Sequence, residues 1–520
     1  MRAIRPLFAL ATGVIVLGVC AAPSALPLPT SLVLGDLIIA PTTVMAGEGV
    51  TYSIQVSNVG ATACSYTLVF KYKTSTGTVG SDKAEVALEP GQTKTVMLTV
   101  IRSGPGTYFV AVDGKLGQYT VTSPRALEPF ARQTGIEVVT RTAATVNRKG
   151  GNQIRIVRTQ AGVFTAYIVE GGGEFRHEWR LTRRQPDGMW AVIAQGDAGA
   201  FPVSLLASPD GTLHIIGWSY GVGMIWSGRP KDGALTMRAT TIPGAVQGDY
   251  PYPSAGVDAT GNLCVLTSRE ALPDPSAKGR YIAPQLRCAC YLPSQSQWVT
   301  QIYDVDYRYT YSYVFPGPDG HVAVVSTRDC PRELLGIVQP AGRPPWVFNA
   351  FMYWGAATMS SDPLHVLSFA EELPTARYVD PWLAIHEAYL DSKGRMHIIY
   401  SRSGATTDGR NQYRHRIVSS SGITLFDEEL PEEAGMQCRA FQDGHERFYL
   451  LGQSGLLYPM DQEGQRLGAP MQLDLEGHEV QMFGLSVPRG GTPLSDVMGV
   501  GFVGDDGTSW FYFELDFSSR

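Results

Sequence analysis

Charge is scarce in this chain: only 17% of its 520 residues are Asp, Glu, Lys or Arg, and the formal net charge is -6. A nucleic-acid partner is set aside on that ground, because phosphate binding needs concentrated Lys and Arg. Long apolar runs are also missing. The stretch from Leu7 to Val19 is too short to span a bilayer comfortably, and no later segment reads as a transmembrane helix. Seven cysteines in this length exclude a disulfide-held scaffold. Several chemical signatures are absent as well. There is no nucleophile elbow with plausible partners, no phosphate loop, and no second Cys pair or spaced His to complete a zinc site. His386-Glu387 is not a zinc-protease motif, since position 390 is Leu where a second His is required. No metal or cofactor is expected.

The N-terminus reads as an export signal over residues 1–21, with Arg2 and Arg5 ahead of the apolar run and small residues at Ala21 and Ala22. This places the protein outside the cell or in the cell envelope. Leu17-Gly18-Val19-Cys20 resembles a lipoprotein box, but Val19 stands where a small residue is usual, so release is preferred to a lipid anchor at Cys20. Cleavage leaves Cys64, Cys264, Cys288, Cys290, Cys330 and Cys438. On a strand, Cys288 and Cys290 face the same side, and one of them could reach Cys264 on a neighbouring strand.

What the chain has in abundance is punctuation, with 57 Gly and 34 Pro. Gly162, Gly211, Gly261, Gly320, Gly394, Gly444 and Gly507 each follow one β-rich run and precede another. They recur at intervals of roughly 50 to 75 residues, which fits one four-stranded sheet per repeat. The expected fold is therefore all-β, with a β-propeller over 134–520, seven blades preferred and six the alternative. The last repeat is short of strands, and Ile136–Arg141 is a spare strand before the first, so the early strand is expected to close the last sheet.

Residues 32–122 follow a different grammar, about seven alternating strands divided by Gly, Pro and Asn turns, as an Ig-like sandwich requires. Residues 123–133 read as the linker. In Ala40-Pro41, Ala46-Gly47-Glu48, Val56–Gly60 and Leu88–Gln92 the N-terminal unit resembles bacterial CARDB-type adhesion modules. That resemblance implies a spacer or adhesive arm.

Aligning the glycines brings candidate site residues into register. Eight positions after the glycine, Arg269, Arg328 and Arg402 fall in three consecutive repeats, where the second strand runs into a loop. Seven positions before it stand Arg155, Tyr313 and Glu387 in otherwise apolar strands. Both sets belong to the end of the ring where innermost strands start, the expected pocket. Tyr307, Tyr309, Tyr311 and Tyr313 recur every second residue, so in an extended strand all four face one side as a stacking surface. The alternative for the stripe is cross-strand packing, and for the arginines simple reach into solvent.

Ile154-Arg155-Ile156-Val157 with Thr159–Gly162, and the Asp-Gly turns at 210–211, 319–320, 443–444 and 506–507, resemble the sialidase and BNR-repeat superfamily. No intact Ser-x-Asp-x-Gly-x-Thr-Trp box occurs, and Asp505–Trp510 is a partial echo. The resemblance implies a propeller that binds an anionic carbohydrate chain. Arg155, Arg269, Arg328 and Arg402 would hold its acidic groups, Tyr309 and Tyr311 would stack on its sugars, and Glu387 and Tyr313 would catalyse hydrolysis or elimination if bonds are broken. The alternative is a non-catalytic adhesion or interaction platform.

Overall fold

The computed structural model of the protein describes residues 31–45, 49–74, 79–102, 104, 106–122, 130–171, 177–230, 235–246, 252–269, 272–273, 281–282, 284–305, 308–317, 321–338, 346–358, 367–372, 382–403, 411–434, 437–504 and 507–518. The export signal, Cys20, Ala46–Glu48, Tyr250, Tyr307, the turn at 319–320, and Asp505 and Asp506 lie outside the described residues. Strands dominate, and short 3-10 turns are the helical elements among the described residues. No described helix is long and apolar enough to cross a membrane. The chain divides into two compact units, Met1–Ala126 and Leu127–Arg520.

In the first unit, Gly49–Asn58 buries every second residue, Val50, Tyr52, Ile54, Val56 and Asn58, as a half-buried strand must. Leu32–Leu34 and Ile38–Ala40 pair along one edge of it and Thr93–Ile101 along the other. The second sheet runs in the order Val79–Leu88, Cys64–Thr74, Gly106–Val112, Lys115–Thr122 and Thr43–Met45, the last strand joining in parallel. The inward residues of both sheets, among them Tyr52, Ile54, Leu68, Phe70, Val110 and Tyr119, form one core. Each such side chain contributes about 1.5–3 kcal/mol of apolar burial. This is an Ig-like sandwich, with nine strands where about seven were expected.

The second unit is a β-propeller. Its inner strands are Ile156–Thr159, Ser204–Ala207, Ser254–Val257, Arg308–Pro316, Leu383–Leu390, Arg439–Gln442 and Val480–Leu485. Each opens a sheet in which successive strands pair antiparallel. Each inner strand packs beside the next, and Val480–Leu485 packs beside Ile156–Thr159, which closes a ring of seven sheets among the described residues. The last sheet takes its outer edge from the start of the unit, Arg132–Gln133 and Glu137–Thr140, both paired with Ser509–Asp516. The stretch read as linker therefore ends in a propeller strand, and Phe130 and Ala131 beside it are buried in the core.

The glycine register holds for the described turns at Gly162, Gly211, Gly261, Gly394 and Gly444, which join first and second strands. Gly507 does not belong to it. In the last sheet it joins the second and third strands, while the first connection is the longer segment 486–496. The residues seven before and eight after Gly507, Val500 and Leu515, are consequently not equivalents of Glu387 and Arg402.

A second repeat explains how several of these turns are fastened. In three of the sheets the first residue of the turn meets the residue six further on. Ser208 Oγ lies 2.9 Å from His214 Nε2, whose Nδ1 is 2.8 Å from Ser227 Oγ. Asp391 Oδ2 bonds His397, whose other nitrogen is 3.0 Å from His415. Tyr449 donates to Asp443 at 3.1 Å. In the third sheet the same position is Cys264, disulfide-bonded to Cys290 on the adjoining strand. The expected Cys264 partner is thus Cys290, and Cys288 stays a buried thiol, pushed by burial up to about 12.

Candidate functional site

Two segments of the chain cross the axis of the ring, one toward each end. At the end where inner strands start, residues 149–153 cross toward the opposite sheets. Asn152 Nδ2 donates to Ser254 Oγ at 2.8 Å and to the Ser312 carbonyl at 3.0 Å, and Gln153 Nε2 donates to the Pro202 carbonyl at 2.8 Å. At the other end the turn 487–491 crosses beneath, and Gly491 adopts φ +85° against the Ala207 carbonyl, where any Cβ would lie only 1.8 Å from its oxygen. Between these caps lies a cavity of about 200 Å³ lined by Gln153, Asp258, Glu387, Arg439, Val487 and Arg489.

Glu387 reaches this cavity because the backbone bulges between Ile385 and Glu387, rotating the carboxylate inward. It accepts the Ala388 amide at 3.0 Å, and its Oε2 is 3.7 Å from Arg439 Nε. Burial raises Glu387 to about 7, with Arg439 and Arg489 opposing that rise. Arg439 donates to the carbonyls of Phe483 and His386 at 2.9 and 2.6 Å. Arg489 donates to the carbonyls of Ala255 and Asn152 at 3.1 and 2.9 Å and stands 5.0 Å above the Tyr313 ring.

The expected catalytic pair is therefore close but differently occupied. Tyr313 is buried, its hydroxyl donates to the His386 carbonyl at 2.9 Å, and burial raises its pKa. A phenol so engaged is poorly placed to abstract a proton. Arg155 is 1% exposed, and both terminal nitrogens donate to the Asn147 and Lys149 carbonyls. It fastens the entry cap. Burial, then the neighbouring Arg439, lowers its pKa to about 9.

Arg269, Arg328 and Arg402 do lie toward the strand-start end of sheets three to five, Arg269 and Arg402 closing their strands. Arg402 and Glu387 have different charged surroundings. The charged neighbours of Arg402 are Arg414, Arg416 and Asp427 on its own sheet, whereas Glu387 faces Arg439 and Arg489. Arg155 is taken up by the cap carbonyls and Arg402 by its own sheet, so neither is aimed at Glu387.

The tyrosine stripe is broken as well. Tyr309 pairs with Arg328 and Tyr313 with Val325, so five residues on one strand oppose four on the other across a bulge. Tyr309 turns into the core beside Cys264 and Cys290, and Tyr313 into the core beside Phe351 and Leu383. Tyr311, at the bulge, takes φ +51°, a conformation uncommon for a bulky residue.

That bulge places Tyr311 in a file of rings along the strand-start end of the propeller. Phe201 lies 4.7 Å from Tyr252, Tyr252 5.1 Å from Tyr311, Tyr311 5.5 Å from Phe348, and Phe348 4.5 Å from Trp382. Phe201, Tyr311 and Trp382 are partly exposed, while Tyr252 and Phe348 are buried between them. Trp382 stands beside the Arg402 terminus, since its carbonyl accepts the Ser403 amide at 2.8 Å. Sequence reasoning missed Phe201, Phe348, Arg439 and Arg489. Phe201 comes from the connection between the first two sheets and Phe348 from the third strand of the fourth, and Arg489 sits in a turn that the glycine register passes over.

A scan of known protein families finds none that matches the chain, and a search of characterised proteins finds no relative. Among solved structures, Sqt1 of Chaetomium thermophilum is similar over 80% of this chain and 89% of its own, at 12% identity and a TM-score of 0.39. A protein from Lactobacillus plantarum is similar over 79% and 96%, at 10% identity and a TM-score of 0.39. A β-glucosidase from Erythrobacter marinus matches over 18% of this chain, which spans 15% of that enzyme, at 15% identity and a TM-score of 0.17. The propeller assignment rests on the chain's own sheet order and ring closure.

Proposed function

We propose that the protein is an exported, non-catalytic binder of an anionic carbohydrate chain, which it engages along the strand-start rim of sheets two to five. The file Phe201–Tyr252–Tyr311–Phe348–Trp382 carries this reading. Rings of this kind, supported from behind by buried neighbours, offer flat apolar faces and a phenol that suit sugar surfaces. Tyr311 is held in a left-handed conformation, and such backbone outliers concentrate at binding sites. Arg269, Arg328 and Arg402 belong to the same end of sheets three to five and supply charge for uronate or sulfate groups. The Ig-like unit fits the role of a spacer or adhesive arm, in keeping with its CARDB-like sequence.

Catalysis is the weaker reading for a geometric reason. Glu387 and Tyr313 lie behind the 149–153 cap, and a polymer seated on the rim does not reach them. The test is binding of acidic polysaccharides to the native protein and to Tyr311→Ala and Trp382→Ala, with circular dichroism as the folding check. Each ring contributes roughly 0.5–1.5 kcal/mol beyond area burial, a loss of about two- to tenfold in affinity per variant. Unchanged affinity in both variants, or product release abolished by Glu387→Gln, overturns the proposal.

A further inference from the structure

The axial cavity has an unbalanced charge. Arg439 and Arg489, 2% and 9% exposed, line it, and Glu387, 8% exposed, is the buried carboxylate among them. Asp258 at the margin is already used by its own turn, accepting from Thr260 and Asn262. With Asp258 so occupied, two guanidinium groups face one remaining carboxylate among the described lining residues. Buried charges without a counter-charge are costly, so the imbalance points to an anion in the cavity.

The donors point the same way. Arg439 is largely occupied, giving hydrogens to Phe483, His386, Cys438 and Gln437. Arg489 uses two of its five N–H groups, on Ala255 and Asn152, and the residue lines the cavity. A planar fork with remaining donors matches a carboxylate in size and geometry.

We propose that the axial cavity is a binding site for a small monocarboxylate, held by Arg489 with Arg439 as its electrostatic support, and that the anion competes with ionised Glu387 for those guanidinium groups. A space of about 200 Å³ suits a free small acid rather than a polysaccharide chain, so this site is independent of the rim. Competition makes binding depend on pH. The groups around Glu387 are Arg439, Arg489, Tyr313, Tyr389, His386 and Cys438. Burial keeps His386 neutral, down at about 3, Cys438 protonated, up to about 12, and raises both phenols. Glu387, raised by burial to about 7, is the member of the set that titrates near neutrality.

Titrating the full-length protein with acetate by calorimetry tests this. Native protein binds about tenfold more tightly at pH 6 than at pH 8 if only the form with protonated Glu387 accepts the anion. Glu387→Gln, close in shape, abolishes the pH dependence and binds at least as well as native protein at pH 6. Arg489→Lys weakens binding tenfold or more. Anomalous scattering from bromide soaked into crystals places a peak between Arg489 and Glu387. Absence of acetate binding at both pH values, pH-independent binding by native protein, full affinity in a folded Arg489→Lys, or no bromide at the axis each overturns the proposal. Should Arg489→Lys fail to fold, Glu387→Gln and the bromide position decide.

Discussion

Arg489 donates to the carbonyl of Asn152 at 2.9 Å, joining the turn that crosses one end of the propeller axis to the segment that crosses the other. The same guanidinium holds the Ala255 carbonyl, so one side chain links the seventh, first and third sheets. Truncation leaves two buried carbonyls without these donors, each costing about 1–3 kcal/mol. Arg489→Ala is therefore expected to lower stability by about 3 kcal/mol in urea unfolding, and Arg489→Lys by less. An unchanged midpoint for Arg489→Ala would show that the caps hold without it.

Buried histidines give the protein a defined acid response. Burial holds His214 down at about 4 and His386 at about 3, and it lowers His397 and His415 as well. The folded forms stay neutral while the unfolded chain takes up protons below about 6.5, so stability is present above that pH and is lost as pH falls toward 4. Glu387 acts oppositely, since its raised pKa makes the folded state lose stability as pH rises from 4.5 to about 7. At least two histidines oppose one glutamate, for a net loss of at least about 1.4 kcal/mol per unit between pH 6 and 5. Urea midpoints at pH 7, 6 and 5 check this, and His214→Gln should flatten the slope. Constant stability from pH 7 to 5 refutes it.

The disulfide replaces a polar fastening. Cys264 and Cys290 are 26 residues apart in sequence, and closing a loop of that size stabilises by about 3 kcal/mol in the chain-entropy account. Cys264→Ala with Cys290→Ala should lose about that much, and reducing agent should affect the native protein but not the double variant. Equal midpoints with and without reductant would remove the bridge from the stability of the third sheet.

Much of this architecture was legible from local chemistry. Turn glycines and alternating strands announced a sandwich and a ring, and Ile136–Arg141 was visible as the strand that closes the last sheet, because each signal lies within a few residues. The register also picked out Glu387. It failed where one inserted residue changes direction. The bulge at Tyr311 sends Tyr309 and Tyr313 into different cores, and period-two counting cannot see it. Arg155 looked like a ligand-binding arginine because sequence does not show that the Asn147 and Lys149 carbonyls already fill its fork. Arg489 was silent for a related reason, since a Pro-Arg-Gly-Gly turn becomes informative only once the ring brings it under Ala207.

Two glycines of similar conformation separate backbone strain from crowding. Gly394 has φ +75° with nothing within 4 Å of the point a Cβ would occupy, and Gly491 has φ +85° with the Ala207 oxygen 1.8 Å from that point. Gly394→Ala meets only the left-handed penalty, about 1–2 kcal/mol. Gly491→Ala meets that penalty and must also push the 487–491 turn away from the inner strand Ser204–Ala207. The displacement pulls Arg489 from Asn152, so this substitution is expected to cost at least twice as much in urea unfolding. It should also weaken acetate binding at pH 6, which Gly394→Ala leaves unchanged. Equal losses of stability in the two variants would mean that the turn yields freely and that the cap does not fix the position of Arg489.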